Sequence, residues 1–256
     1  MSNSGDLAVT AGQIAILEIQ RPPNNFFDTP LIQALADALD RLAEDGECRV
    51  AVLCSAGKHF CAGADFTGGQ RQPSAQTQGV HLYDVAIRLF EQPLPLVAAV
   101  QGAAIGGGLG LALAADFRVA CPEARFSANF ARLGFHQGFG LSVTLPGAIG
   151  QQRALEMLYT GKRIDGEEAA RIGLCDRLVP LAEVRSAAVA LAGEIAASAP
   201  LAVRSIRATM RFPQASEVKA ALEREKTEQE RLRATADWLE GVRASAERRE
   251  PVFLGR

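Results

Sequence analysis

The stretch Pro95–Asp116 reads P-L-V-A-A-V-Q-G-A-A-I-G-G-G-L-G-L-A-L-A-A-D. Leu96–Val100 is an apolar run with the length of a buried strand. Gly102 interrupts it, Gly106-Gly107-Gly108 follows, and the Leu/Ala-rich run Leu109–Ala115 favours helix. A strand, a glycine turn and a helix N-terminus together aim free backbone N–H groups at a point where negative charge can develop. Glycine at the turn lets the backbone approach a ligand closely and adopt positive φ. Other readings of the stretch compete. Leu94–Ala115 carries no charge and is long enough to span a bilayer. Against a span stand Pro95, Gln101, five glycines and the lack of a flanking basic cluster. A P-loop is excluded because no G-K-[ST] follows, and the glycines do not spell G-x-G-x-x-G. A glycine-rich packing turn without chemistry remains open on this stretch alone.

Outward from the centre, strands and helices alternate. Ala8–Thr10 and Ile14–Ile19 read as a hairpin, and Arg21-Pro22-Pro23-Asn24-Asn25 as a turn. Asp28 or Thr29 can cap a helix with Pro30 in its first turn, and Leu31, Leu35, Leu39 and Leu42 give it an apolar stripe. Val50–Ser55 is a buried strand, 56–69 a loop, and Val80–Phe90 an amphipathic helix ended by Pro93 and Pro95. Phe117–Ala120 and Arg177–Val179 are short strands, and Gln151–Tyr159 is a helix stopped by Gly161. Asp165 and Glu168 form a variant capping box before 169–172. From Leu181 the chain is helical in segments of about 181–198, 201–212, 216–233 and 236–248, broken at Pro200, Pro213 and near Thr235. The pattern predicts an α/β protein, a core over 1–195 and a helical C-terminal region over 196–256. The charged run Lys219–Arg233 reads as a solvated helix with mixed i,i+4 pairs, and Trp238 as a packing anchor.

Composition narrows the classes. Of 256 residues, 48% are hydrophobic and 22% charged, as in ordinary globular proteins. A net charge of −2 offers no basic field for nucleic acid or an anionic membrane. The N-terminal residues lack a basic region followed by an apolar one, so no signal peptide is read there. Five cysteines without a C-x-x-C read as reduced core thiols of a cytoplasmic protein, and three scattered histidines do not suggest zinc.

The segment Ser55–Asp65, S-A-G-K-H-F-C-A-G-A-D, follows the strand Val50–Cys54 and ends in Gly63-Ala64-Asp65. A strand end followed by such a loop can also present free N–H groups. Two such turns converging on one oxygen would make an oxyanion hole.

H-F-C-A-G-A-D-F at 59–66 and A-V-Q-G-A-A-I-G-G-G-L-G-L-A-L-A-A-D at 99–116 closely resemble the crotonase superfamily, the enoyl-CoA hydratase/isomerase family. R-P-P-N-N at 21–25, F-S-A-N-F-A-R-L-G at 126–134 and E-R-R-E-P-V-F at 247–253 extend the resemblance from about residue 6 to the C-terminus. It implies a spiral of ββα units with a helical C-terminal trimerisation region, a trimer or hexamer, and a coenzyme A thioester as substrate, with no cofactor besides. By resemblance, the backbone N–H groups of Ala64 and Gly107 hold the thioester oxygen, beside Gly106. Asp65, Phe66 and Thr67 line the acyl end. Pro23, Asn24, Asn25 and Ala62 lie near the CoA moiety, and Phe253, with Arg248 or Arg249, near its nucleotide.

The chain departs from the family's hydratase pattern at both glutamates. Their positions hold Gly110 and Phe130. Hydration needs one group to deprotonate water and one to handle the α-carbon proton, and neither residue can do either. The family's dienoyl isomerases and aryl dehalogenases place an aspartate eight positions past the second glutamate, where this chain has Gly138, and by resemblance Phe130 and Gly138 line the acyl pocket. Candidates to move a proton instead are His136, whose ordinary pKa suits acid–base work, and His81, Tyr83 and Asp84 on the helix 80–90. His59 beside the loop is a weaker candidate. The family label is enoyl-CoA hydratase, while isomerase, decarboxylase or hydrolase chemistry fits the missing carboxylates. The alternative is a non-catalytic acyl-CoA binder that kept the thioester site.

Overall fold

The computed structural model describes residues 2–64 and 79–256. Ten strands and nine α-helices follow one another among these residues. The strands are β1 (Ser2–Ser4), β2 (Leu7–Thr10), β3 (Ile14–Ile19), β4 (Val50–Ser55), β5 (Leu96–Val100), β6 (Ala103–Ile105), β7 (Phe117–Ala120), β8 (Arg125–Ser127), β9 (Arg163–Asp165) and β10 (Arg177–Leu178). The helices are α1 (Thr29–Asp45), α2 (Leu82–Glu91), α3 (Gly107–Ala114), α4 (Leu141–Ile149), α5 (Gln151–Thr160), α6 (Gly166–Arg171), α7 (Val184–Ala196), α8 (Pro200–Arg233) and α9 (Ala236–Glu247).

A seven-stranded sheet in the order β1-β2-β3-β4-β5-β7-β10 carries the core. β1, β2 and β3 pair antiparallel, and every pair from β3 to β10 is parallel. Parallel strands are covered on both faces, so β4 and β5 are buried at every position and read as unbroken apolar runs. α1 lays its Leu31, Leu35, Leu39 and Leu42 stripe into that core, capped by the Asp28 carboxylate, which accepts from the Leu31 N–H at 3.0 Å.

The central stretch is more angular than strand, turn, helix. β5 ends in the large sheet. Gly102, at φ +64°, turns the chain so that β6 enters a second, three-stranded sheet, ordered β6-β8-β9. Only glycine fits there, because a Cβ would lie 2.2 Å from the Lys58 carbonyl oxygen. α3 then starts at Gly107 and runs buried beneath the sheet. Asp116 ties the end of this stretch to α8. It accepts from the Leu96 N–H at 2.8 Å and pairs with Arg207 at 2.8 Å and Arg211 at 3.0 Å.

Two expectations change at the helical end. α8 is one helix through Pro213 rather than two segments. Arg207 and Arg211 anchor it to Asp116 on one side of the proline, and buried Val218 and Leu222 anchor it on the other. The run 219–233 is not a purely solvated face. Val218, Leu222, Glu225 and Gln229 are buried at spacings of four, three and four. α4, on a Gly/Leu-rich segment, is an element that the periodicity left unread. The five cysteines are free and buried, and burial pushes the Cys61 thiol up to about 12. Among the described residues no single helix is long and apolar enough to cross a membrane.

Candidate active site

The two glycine turns meet. Cys61 bridges to Ala104 in parallel fashion, through the Cys61 N–H to the Ala103 oxygen at 2.9 Å and the Ile105 N–H to the Cys61 oxygen at 3.0 Å. Ala64 bridges to Phe27, and the Gly63 oxygen accepts from the Phe27 N–H at 3.0 Å. These bonds clamp the loop 61–64 onto β6 and Phe27, beside the start of α3. Gly63, at φ +89°, lies so close that a Cβ there would be 2.9 Å from the Ile105 oxygen and 3.4 Å from the Gly107 nitrogen. A Cβ on Gly107 would stand 2.4 Å from the Phe27 ring, and one on Gly108 would stand 2.0 Å from the Cys61 oxygen. The glycines are the condition for the approach. Gly107 is the first residue of α3, where the N–H has no acceptor within the helix.

Both turns open into one cavity of about 490 Å³. Ala62, Ala64, Gly106, Gly107 and Phe130, named by resemblance, line it. So do His81 and Tyr83 of the α2 segment, along with Phe27, Phe135 and Phe139. Asp65, Phe66 and Thr67 lie outside the described residues. Pro23, Asn24 and Asn25 sit beside the cavity rather than on its wall. Asn25 is wholly buried as a loop anchor, donating from Nδ2 to the Ala56 and His59 oxygens at 2.8 and 2.6 Å. The Asn24 oxygen accepts from the Ala62 N–H at 2.9 Å, which joins this turn to the site loop. His59 Nδ1 accepts from the Ala103 N–H at 3.2 Å. Phe253 is exposed on the tail beyond α9 and does not line the cavity, and Arg249 is held there by Glu240 and Glu247.

Aromatic groups occupy the space at the carboxylate positions. A Cβ on Gly110 would be 2.6 Å from the Phe139 Cβ, and the Phe139 ring packs on Phe27 with centroids 5.2 Å apart. Gly138, placed at the acyl pocket by resemblance, does not line the cavity: Tyr83 stands in front of it, and a Cβ on Gly138 would be 1.8 Å from the Tyr83 hydroxyl. Phe139 reaches its place through a left-handed backbone, φ +60°, a conformation that costs a bulky residue about 1–3 kcal/mol. Glu225 of α8 holds that bend. Its carboxylate accepts from the Gly140 N–H at 2.9 Å and from the Ser142 N–H and Oγ at 3.0 and 2.7 Å. Burial pushes this carboxyl above its ordinary value, and the three donors oppose the shift.

The polar groups on the wall belong to α2 and α8. The Tyr83 hydroxyl donates to Gln229 Oε1 at 2.9 Å, and Gln229 Nε2 donates to the His136 oxygen at 3.0 Å. Burial pushes the Tyr83 phenol up, so it stays protonated at neutral pH. His81 caps α2, with Nδ1 accepting from the Tyr83 N–H at 3.1 Å. Asp84 is exposed and does not line the cavity. Nor does His136, whose Nδ1 lies 2.8 Å from the Gln137 oxygen. α9 covers the remaining side with Val242, Ser245 and Ala246. Gln229, Arg233 and these α9 residues went unread in the sequence. The buried spacing 218, 222, 225, 229 was the signal that would have turned that face of α8 inward.

A ββα core with a second small sheet and a long helical end defines the crotonase fold. The enoyl-CoA hydratase/isomerase family model matches residues 10–256. A probable enoyl-CoA hydratase of Mycobacterium tuberculosis is 36% identical over 254 residues, covering 94% of this chain and 89% of its own. A carnitinyl-CoA dehydratase of Proteus mirabilis is 32% identical over 253 residues, covering 96% and 97%. The solved carnitinyl-CoA hydratase of Mycobacterium avium superposes with a TM-score of 0.87 at 31% identity, covering 98% of this chain and 99% of that one. The chain belongs to the enoyl-CoA hydratase/isomerase family.

Proposed function

We propose that this protein is an enzyme that binds an acyl-CoA thioester with the carbonyl oxygen between the N–H groups of Ala64 and Gly107, and stabilises the enolate or oxyanion that forms there. The observation that carries this reading is the close approach of Gly63 to the Gly107 nitrogen, with Ala64 and Gly107 lining one cavity. Losing one donor of such a pair typically removes about 3–4 kcal/mol of transition-state stabilisation. No cofactor is required besides the CoA of the substrate.

The proton steps in this proposal do not use carboxylates at 110 and 130. Isomerisation, decarboxylation, C–C hydrolysis or another lyase step remain compatible with the site. Decarboxylation has the simplest physical case, because loss of CO2 leaves the electron pair on the α-carbon without any base. The neutral Tyr83 hydroxyl, on the cavity wall, is the candidate to return a proton on leaving its bond to Gln229. A non-catalytic thioester binder is the second reading. It is favoured by the fact that Asp28, the carboxylate among the described lining residues, is held by Arg21 at 2.9 Å and by the start of α1.

Incubation with crotonyl-CoA, followed by absorbance and mass spectrometry, tests the proposal beside a direct binding measurement. Thioester binding with hydration no faster than in a Gly107→Pro control is the expected result, and malonyl-type and β-keto thioesters are then screened for turnover. Fast hydration abolished by Gly107→Pro would keep the oxyanion hole and overturn the exclusion of hydratase chemistry. Binding without turnover of any thioester would favour the binder.

A further inference from the structure

One wall of the cavity has a chemistry that thioester binding alone does not use. His81 and Tyr83 come to it from α2, and Gln229 and Arg233, four apart and so on one face, come from α8. Each of these groups offers donors. Tyr83 donates its hydroxyl proton to Gln229 Oε1, and Gln229 Nε2 donates to the His136 oxygen. His81 accepts the Tyr83 N–H at Nδ1, so the neutral ring carries its proton on Nε2. Arg233 has donors only; the residue is exposed, and its guanidinium lies over an aromatic face of the wall. The guanidinium carbon stands 5.4 Å from the centre of the Phe135 ring, and that ring packs on Trp238 at 4.3 Å. A guanidinium laid on an aromatic face keeps its N–H edge free for a planar anion. Among the described lining residues the carboxylate is Asp28, already engaged by Arg21 and the Leu31 N–H. The cavity thus carries a placed cation and no free anion among those residues.

The geometry points to an acyl thioester whose acyl chain itself ends in a carboxylate, received by the Arg233 guanidinium with the His81 Nε2–H as a second donor. The inference rests on the thioester reading above and adds the class of acyl group. Arg233 meets the carboxylate through two parallel hydrogen bonds, which a lysine cannot reproduce. The alternative source of an anion is the phosphate of CoA, common to every thioester.

Calorimetric titration of the full chain with glutaryl-CoA and pentanoyl-CoA separates the sources, because the two ligands share CoA and differ at the chain end. Glutaryl-CoA is expected to bind at least about tenfold more tightly, the size of a charge-assisted bidentate pair. Arg233→Gln brings the ratio close to one by weakening glutaryl-CoA, and Arg233→Lys recovers part of it. Equal affinities in the unmutated protein overturn the inference while leaving the thioester site intact. Equal weakening of both ligands by Arg233→Gln assigns the cation to the CoA phosphates, which also overturns it. Failure of either ligand to bind the unmutated protein defeats the thioester reading itself.

Discussion

At the scale of single residues, the site is shaped by what glycine leaves out. Gly110 and Gly138 surrender their side-chain space to Phe139 and Tyr83, so an aromatic lining and the loss of carboxylates are one structural fact. Gly110→Ala drives a Cβ against Phe139 and is expected to lower stability by about 1–3 kcal/mol. Phe139→Gly removes both that Cβ and the strain of a left-handed phenylalanine, though the residue 139 oxygen, 2.9 Å from the new Cβ, still crowds it. Urea melts of the two single mutants and the double mutant should therefore show favourable coupling. Strictly additive losses would mean that the two positions do not compete. His81 offers a second residue-level test. Burial, helped by Lys226, holds its pKa below the ordinary 6.5, against the opposing pull of Asp84 and Glu230. The unfolded chain then takes up this proton at a higher pH than the folded one. The stability contribution is complete above pH 6.5 and declines as pH falls through that value toward the lower folded pKa. His81→Asn keeps a capping acceptor that does not titrate. Between pH 7.5 and 5.5, its Tm should fall less than that of the unmutated protein, a window set from the same shift.

At the scale of elements, the cavity depends on helices far apart in sequence being held against one another. α8 joins α2 through Tyr83 and Gln229, and joins the bend before α4 through Glu225. α9 lies on the turn 131–133, with Gly241 so close that a Cβ would be 2.4 Å from the Leu133 carbonyl carbon. Backbone on one side of that contact cannot yield as a flexible side chain would. Gly241→Val is accordingly expected to lift α9 from its seat and weaken acyl-CoA binding tenfold or more, while the sheet-bearing core melts cooperatively as before. Unchanged ligand affinity in that variant would show that α9 does not close the site.

At the scale of the whole molecule, the N-terminal half of α8 carries several exposed apolar side chains. Leu201, Ile206, Met210 and Phe212 are 80%, 64%, 72% and 73% exposed. Where such side chains form one contiguous patch, association is the usual use of the surface. The family resemblance proposes a trimer or pairs of trimers. Light scattering on the eluting protein should return three or six times the mass of the chain. Met210→Glu with Phe212→Glu should lower that number. A single-chain mass for the unmutated protein would reject the proposal.

What was legible in the sequence is what local chemistry dictates. The strands β4 and β5 are apolar throughout because parallel strands are buried on both sides, and α1 declares itself through Asp28, Pro30 and its leucine stripe. The glycines at 63, 106 and 107 marked a site because each is demanded by a backbone conformation or a close approach. Which groups share the cavity was decided only in three dimensions. Phe139 in the space beside Gly110, Tyr83 against Gly138 and Arg233 over Phe135 are contacts between segments distant in sequence, and no local pattern encodes them. The run 219–233 looked solvated because its charges outnumber its apolar residues, yet one face of that helix is turned inward by the tertiary packing of α8 on α2 and α4. Propensity and periodicity are properties of neighbours along the chain, whereas a binding site is a property of neighbours in space.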